Sequence, residues 1–376
     1  MLTQVENPLP ADNNRAPSRD RIGGGKLQDN HDLLEQWLAG EEPGPLTIEV
    51  ALVLGCNHGC LHCAPRQFDL FDPHKSFMDT EVFQKFLVEF RDMGGEEVYF
   101  AGAGEPLLHP HFADFMALGH KIGLRMTFSS NGVLLNEANA EKILPHTTWV
   151  RFSVNGGNAE TYTRVHDCHA RDYDRLIRNL ENARDQRKNN QWQVHLALQF
   201  VVFEENWPSI PGMVALHEHL GTDKLIFRNR FDKEGYKHPV HPDALPLLEK
   251  AARVKGVEIR WGSFPREGEI QQAAWRRCDG IHFRTNMDHQ GNLFACGRQF
   301  YKDSRFGDIH AHSLQEIWHA EKRRRLFAEI GKGGDIPLCG RLCPTSFDNI
   351  YIEKYMAERE HGGNSHKRVA DRGRYT

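Results

Sequence analysis

Between residues 46 and 230, apolar runs of strand length alternate with longer stretches in which apolar positions recur every three or four residues. The runs fall at 47–54, 98–101, 125–129, 149–154, 194–202 and 224–227, and each is nearly continuous, as expected of strands buried on both faces. Helical periods lie between them, at 79–91, 112–122, 136–143, 173–187 and 209–220. Six strand-then-helix repeats predict an α/β fold in which parallel strands and crossover helices curve into a partial, TIM-like (β/α)6 barrel. The alternation stops beyond residue 270. There, Asp288-His-Gln-Gly-Asn-Leu-Phe294 predicts a hairpin with Gly291 at its turn, and Ser313-Leu-Gln-Glu316 is a capping box opening a helix that runs toward Phe327. Residues 1–30 lack apolar periodicity and read as a mobile leader ahead of a short amphipathic stretch at 33–38. The expected division is a leader and short helix over 1–45, a core over 46–235, a smaller extension of hairpin and helix over 236–350, and a polar, flexible tail over 351–376.

A chain of 376 residues with 39% hydrophobic content can build one large domain and a smaller one. Lys and Arg (47) against Asp and Glu (51) leave a net charge of −4, so no global charge draws the chain to nucleic acid or to an anionic membrane. No long apolar run and no charged n-region followed by an apolar stretch is present, so neither a membrane helix nor a signal peptide is expected and the protein reads as cytoplasmic. In that compartment eight cysteines point to metal ligands or reactive thiols rather than disulfides. Arg21-Ile-Gly-Gly-Gly-Lys26 lacks the spacing and the preceding strand of a phosphate loop and reads as a linker; Lys322-Arg-Arg-Arg325 reads as a solvated helix face.

Three cysteines lie in Cys56-Asn-His-Gly-Cys60-Leu-His-Cys63, just past the first strand, where one tight loop aims three sulfurs at one point. Three thiolates can hold three corners of a cubane iron–sulfur cluster and leave the fourth iron open to a substrate or cofactor. Zinc is the rival, but a tetrahedral structural site takes two ligand pairs, and His58 and His62 lie too close together to form a separate second one. In this spacing the chain resembles the radical S-adenosylmethionine (radical SAM) enzymes, over roughly residues 46–235. The resemblance implies S-adenosylmethionine as cofactor and a [4Fe–4S] cluster on Cys56, Cys60 and Cys63. Further contacts belong at the carboxyl ends of the strands, where parallel sheets place their active sites. Gly102-Ala-Gly-Glu-Pro106, otherwise an ordinary glycine turn, resembles the family's glycine-rich segment that lines the methionine end of the cofactor. Gly102 and Gly104 would allow close approach, and Glu105 would accept from the cofactor's amino group. Ser130 and Asn131 would reach its ribose or carboxylate, though an Asx-turn explains the same residues. Strand four ends Arg151-Phe-Ser-Val-Asn155, which puts Ser153 and Asn155 on one face, and strand five carries Gln199, a buried amide in need of a partner. His62 stands where the family usually has an aromatic residue, and its imidazole would stack on the adenine.

Four more cysteines follow the barrel: Cys278, twelve residues to Gly291, four more to Cys296, then Cys339 and Cys343 with three between them. Four thiols can close a second cluster, with zinc on the same four as the alternative. Cysteine, hairpin with glycine, cysteine, helix and cysteine pair resemble the SPASM/twitch extension of many radical SAM enzymes. With four cysteines, the shorter twitch-like form carrying one auxiliary [4Fe–4S] cluster fits better than the full SPASM form.

The resemblance implies cleavage of S-adenosylmethionine to methionine and a 5′-deoxyadenosyl radical that takes hydrogen from an unactivated C–H bond, fed by an external one-electron reductant of flavodoxin or ferredoxin type. The residues before the first strand are few and polar for the leader-binding module of peptide-modifying relatives, which points to a small polar metabolite such as a sugar or aminocyclitol. A dehydrogenation relayed through the auxiliary cluster is the expected reaction. The alternatives are an epimerase in which Cys168, in Val165-His-Asp-Cys-His169, returns a hydrogen atom, a peptide-modifying maturase, and, outside enzymes, an iron–sulfur electron carrier. For Cys168 a structural thiol is the plain explanation. Arg228, Arg230 and Asp232, past the sixth strand, can bind polar substrate groups or form surface ion pairs.

Overall fold

The computed structural model describes residues 26–63, 76–230, 240–264, 277–297, 304–331 and 345–360. In chain order the strands are β1 (Thr47–Val50), β2 (Val53–Leu54), β3 (Ser76–Phe77), β4 (Glu97–Phe100), β5 (Arg125–Ser130), β6 (Trp149–Ser153), β7 (His195–Val202), β8 (Lys224–Asn229), β9 (Val257–Ile259), β10 (Arg284–Met287), β11 (Asn292–Phe294) and β12 (Arg305–Asp308). The helices are α1 (His31–Leu38), α2 (Thr80–Asp92), α3 (Phe112–Lys121), α4 (Glu137–Ile143), α5 (Ala159–His166), α6 (Arg171–Asn189), α7 (Ile210–Leu220), α8 (Ala244–Ala251), α9 (Leu314–Trp318), α10 (Glu321–Gly331) and α11 (Ser346–Glu360). Ten strands form one sheet in the order β12-β11-β10-β1-β4-β5-β6-β7-β8-β9, and every pair from β10 to β9 is parallel. Alternate strand residues, among them Val98, Phe100, Met126, Phe128, Val150, Phe152, Leu198, Phe200, Leu225 and Phe227, are buried in one core with Phe83, Phe86 and Phe90 of α2 and Phe112 and Phe115 of α3. The residues between them, including Tyr99, Ser129, Arg151, Gln199 and Arg228, therefore line the concave face.

The expected α/β partial barrel is present, with differences at its edges. The first apolar run is broken: β1 ends at Val50, and β2 leaves the sheet to pair antiparallel with β3. Leu52 and Val53 stay buried through the break, which is why the run looks continuous. Past β8, helix α8 and strand β9 add another parallel unit. The hairpin forms as β10 and β11, and β10 pairs with β1, so the extension continues the barrel's own sheet.

The helix opened by the Ser313–Glu316 capping box stops at Trp318 instead of running to Phe327. Arg323 explains the break: its Nε donates to the Trp318 carbonyl, and its guanidinium lies 4.5 Å over the Trp318 ring and 4.9 Å over that of Phe327. The Lys322–Arg325 run is thus only partly a solvated face, since Arg323 is 1% exposed. Residues 351–360, expected as part of a tail, belong to α11, where Ile352 packs with Leu27, Leu34, Leu46 and Phe283. The residues up to 25, Asp232, Cys339, Cys343 and 361–376 lie outside the described residues. Among those described, no helix is long and apolar enough to cross a membrane.

Glu42 closes this clasp, accepting from Arg323 at 3.0 Å and from Arg324 at 2.9 Å. The Arg324 hydrogen bond, more than any other effect, holds its carboxyl down at about 2 against an ordinary 4.5. A depressed carboxyl contributes stability above its unfolded value and loses it as pH falls toward the folded one. Glu42→Gln should therefore cost about 1 kcal/mol at neutral pH, allowing for solvent at the rim. The gap to the parent in urea melts should narrow as pH falls below about 4.

Candidate cofactor and active site

The cysteine loop is stitched to the barrel on two sides. Gly55 bridges Gly104 in parallel, and the Glu105 N–H donates to the Gly55 carbonyl at 3.0 Å. On the other side Gly59 N donates to His166 O at 2.9 Å and Leu61 N to Val165 O at 3.0 Å. A Cβ on Gly104 would fall inside contact distance of the Gly55 and Val53 carbonyls, so the close approach requires glycine there. Gly102, at φ +109, turns the chain into this contact.

Cys56, Cys60 and Cys63 are part-buried thiols outside any disulfide. Burial first, then Glu105 and Cys63, push Cys56 up to about 12; burial, then Cys56 and Cys63, push Cys60 well above its ordinary value. Cys63 thus lies close enough to raise both of the others. Three part-buried thiols on one loop carry their negative charge best around a cation, and the irons of a cubane cluster suit this donor set.

Glu105 ties the motifs together. It is 3% exposed, with Oε1 accepting from Ser130 Oγ at 2.8 Å and Leu107 N at 3.1 Å, and Oε2 from Asn131 N at 2.8 Å. Burial pushes its carboxyl up to about 7 in spite of these donors. Asn131 Nδ2 in turn donates to Asn57 Oδ1 of the cysteine loop at 2.7 Å. Gly104, Glu105, Ser130 and Asn131 are therefore brought together at the loop. The carboxylate, however, is already held by protein donors, and only its remaining lone pairs are left for a ligand.

Across the mouth, the His62 ring lies 5.2 Å from Phe203, and its Nε2 accepts from Asn155 Nδ2 at 3.1 Å. Its Nδ1 is buried without a partner. Burial, with Arg228 and Arg230, pushes the imidazole down to about 3, so the ring is neutral. Asn155 does not share a face with Ser153: β6 ends at Ser153, and Asn155 adopts φ +52, which swings its amide back so that Oδ1 accepts from Val201 N at 2.7 Å. Gln199 stands opposite Ser153 in register, 4% exposed, its Oε1 without a partner.

Behind the loop lies a buried set that sequence reasoning passed over. His166 donates from Nε2 to the Val154 carbonyl at 2.8 Å, which leaves Nδ1 as an acceptor 3.2 Å from Cys60 Sγ and 3.3 Å from His58 Nδ1. Cys168 belongs here: its sulfur clusters with ligand atoms of His58 and Asp172, and burial pushes its thiol up to about 12. His58 and His166 both stand in the quoted cysteine motifs. What the motifs do not reveal is that α5 brings residues 108 positions apart into contact. In the extension, Cys278 is buried and accepts from Asn349 Nδ2 of α11 at 3.5 Å, while Cys296 follows β11 and is half-buried.

Residues 50–214 match the radical SAM superfamily and residues 278–344 the iron–sulfur cluster-binding SPASM domain. Among curated proteins, the chain is 24% identical over 327 residues to mycofactocin maturase MftC of Mycolicibacterium smegmatis, covering 82% of this chain and 79% of that protein. It is 24% identical over 313 residues to the AdoMet-dependent heme synthase of Methanosarcina barkeri, covering 75% and 84%. With the PqqA peptide cyclase of Gluconobacter oxydans it is 25% identical over 298 residues, covering 75% and 79%. Streptococcus suis SuiB, solved with its precursor peptide SuiA, shares the fold with a TM-score of 0.59 at 13% identity, over 79% of this chain and 70% of that one. The cofactors that accompany the two domains are S-adenosylmethionine and [4Fe–4S] clusters, an auxiliary one among them. The converging cysteine loop, the parallel barrel and the two matched domains place the chain in the radical SAM superfamily, with a C-terminal SPASM domain.

Proposed function

We propose that this protein is a peptide-modifying radical SAM enzyme. Cys56, Cys60 and Cys63 hold the cluster that binds S-adenosylmethionine, and Cys278, Cys296, Cys339 and Cys343 hold the auxiliary cluster. The observation that carries the chemistry is the loop of three converging thiols stitched to Gly104, Glu105 and Asn131. The peptide substrate is supported by the likeness to the PqqA peptide cyclase and to mycofactocin maturase. These relatives favour the maturase alternative over the sugar or aminocyclitol dehydrogenase expected from the polar N-terminal stretch. A tetrapyrrole is the second reading, favoured by the heme synthase relative.

When bound and reduced, the cofactors supply a 5′-deoxyadenosyl radical able to take hydrogen from an unactivated C–H bond. The chain holds, orients and shields. Gly102 and Gly104 admit close backbone approach, and Glu105 accepts from the methionine ammonium while Ser130 and Asn131 fix its carboxylate. His62, neutral and backed by Phe203, offers a ring face to the adenine. Ser153 and Gln199 present a hydroxyl and an unmatched amide oxygen to the cofactor. Cys168 keeps its proton and faces His58 and Asp172, surroundings that favour a structural thiol.

Glu105→Ala should weaken S-adenosylmethionine binding about ten- to a hundred-fold, the loss of one hydrogen bond to a charged group, with iron content intact. Unchanged affinity in calorimetry would remove Glu105 from the site. For the substrate, the reduced enzyme is offered a peptide pool or a panel of sugars and aminocyclitols. Peptides should stimulate deoxyadenosine formation, and stimulation by the panel alone would restore the metabolite reading.

A further inference from the structure

We infer that Arg228 and Arg230 form an anion subsite at the barrel mouth that takes a carboxylate of the substrate. This rests on the peptide reading, in which an acidic side chain is the carboxylate. Along β8, Leu225 and Phe227 pack into the helix-side core, so Ile226 and Arg228 face the concave side. Arg230 N donates to Val202 O at 3.3 Å, so the ladder runs one residue past the strand and Arg230 follows Arg228 on that face.

Among the described residues, the other charges near β8 have partners of their own. Glu49 pairs with Arg284 at 3.3 Å, and Glu258 pairs with Lys224 at 2.8 Å and Arg260 at 3.1 Å. Arg151 donates to Ser129 Oγ at 3.1 Å and to Tyr99 OH, and lies over the Tyr99 and Trp149 rings. Among the described residues no carboxylate lies in ion-pair distance of Arg228 or Arg230, and the Nε of each is buried without a partner. Part-burying two guanidinium groups without a counter-charge is costly, and an incoming anion offsets that cost. Arg151 is close enough to feel Arg228, which adds to the positive potential.

The placement points to substrate rather than cofactor. Arg228 pairs in register with Val201, whose N–H donates to Asn155 Oδ1, and the Asn155 amide donates to His62 across the mouth. Glu105 and Ser130, proposed at the methionine end of the cofactor, follow β4 and end β5, with β6 and β7 between those strands and β8. A guanidinium fork fits a carboxylate or a phosphate, so the shared chemistry is an oxyanion of either source.

The test uses the reconstituted, S-adenosylmethionine-bound enzyme and two probes, an immobilised random heptapeptide library and glucose 6-phosphate. Peptides retained by the parent should be enriched in Asp and Glu about ten-fold or more, an enrichment that R228Q/R230Q loses and R228K/R230K partly keeps. Iron content and melting temperature should match in all three. If the double variant loses iron, R230Q alone, beyond the strand end, carries the comparison. Arginine-dependent binding of glucose 6-phosphate without acidic peptides would uphold the subsite and sink the peptide reading. Peptides retained without acidic preference, or with the same preference in R228Q/R230Q, would overturn the subsite and leave the peptide reading standing. A ten-fold loss of S-adenosylmethionine affinity in R228Q/R230Q would assign the pair to the cofactor and overturn it too, and retention of neither probe would overturn both.

Discussion

Replacing Cys56, Cys60 and Cys63 together by alanine is expected to lower the iron of an anaerobically reconstituted chain from about eight atoms to about four, and to stop cleavage of S-adenosylmethionine. The three sulfurs come from one loop, and Cys63 pushes both Cys56 and Cys60 up, so they behave as one donor set, and losing it removes a whole cluster. Of the auxiliary cysteines, Cys278 and Cys296 flank the β10–β11 hairpin, on the far side of β1 from β4, and the auxiliary cluster should keep its iron. Full iron in the triple variant, or zinc in place of half of it, would dissolve the two-cluster assignment.

Gly104→Ala is expected to be nearly as damaging, although it removes no ligand. The added methyl would strike two backbone carbonyls, Gly55 O and Val53 O, and neither can yield while Gly55 bridges Gly104. Overpacking of this kind costs about 1–3 kcal/mol. Here the strain falls on the stitch that positions the cysteine loop, so S-adenosylmethionine affinity should drop by up to about a hundred-fold. Gly119→Ala is the control, because the atoms nearest its methyl belong to the flexible Met126 side chain, far from the cysteine loop, and not to backbone. Equal affinity for the two variants in calorimetry would show that close approach at Gly104 is not needed.

Much of the fold is legible because six parallel strands, buried on both faces, write themselves as apolar runs. The break after Val50 is hidden for the same reason: Leu52 and Val53 stay buried after leaving the sheet. At the end of α9, Arg323 turns back onto the Trp318 carbonyl and pairs with the distant Glu42, a contact that the capping-box pattern does not encode. At the site, the order of motifs after successive strands locates Cys56, Gly104, Glu105, Ser130 and Asn131 at the sheet's carboxyl end. Their mutual bonds are another matter, since Ser130 and Asn131 reach across to the Glu105 carboxylate and Asn131 in turn to Asn57 of the cysteine loop. Asn155 misleads through its left-handed backbone, and the His58–His166–Cys60 set through its distance in sequence.

Radical chemistry on a peptide is tested most directly by the fate of a hydrogen atom. The reduced, reconstituted enzyme is given S-adenosylmethionine and a perdeuterated peptide that stimulates turnover, and the deoxyadenosine formed is weighed. Deuterium carried from the peptide into deoxyadenosine is the predicted result; deoxyadenosine free of peptide deuterium, or none at all from a fully iron-loaded chain, would contradict the account.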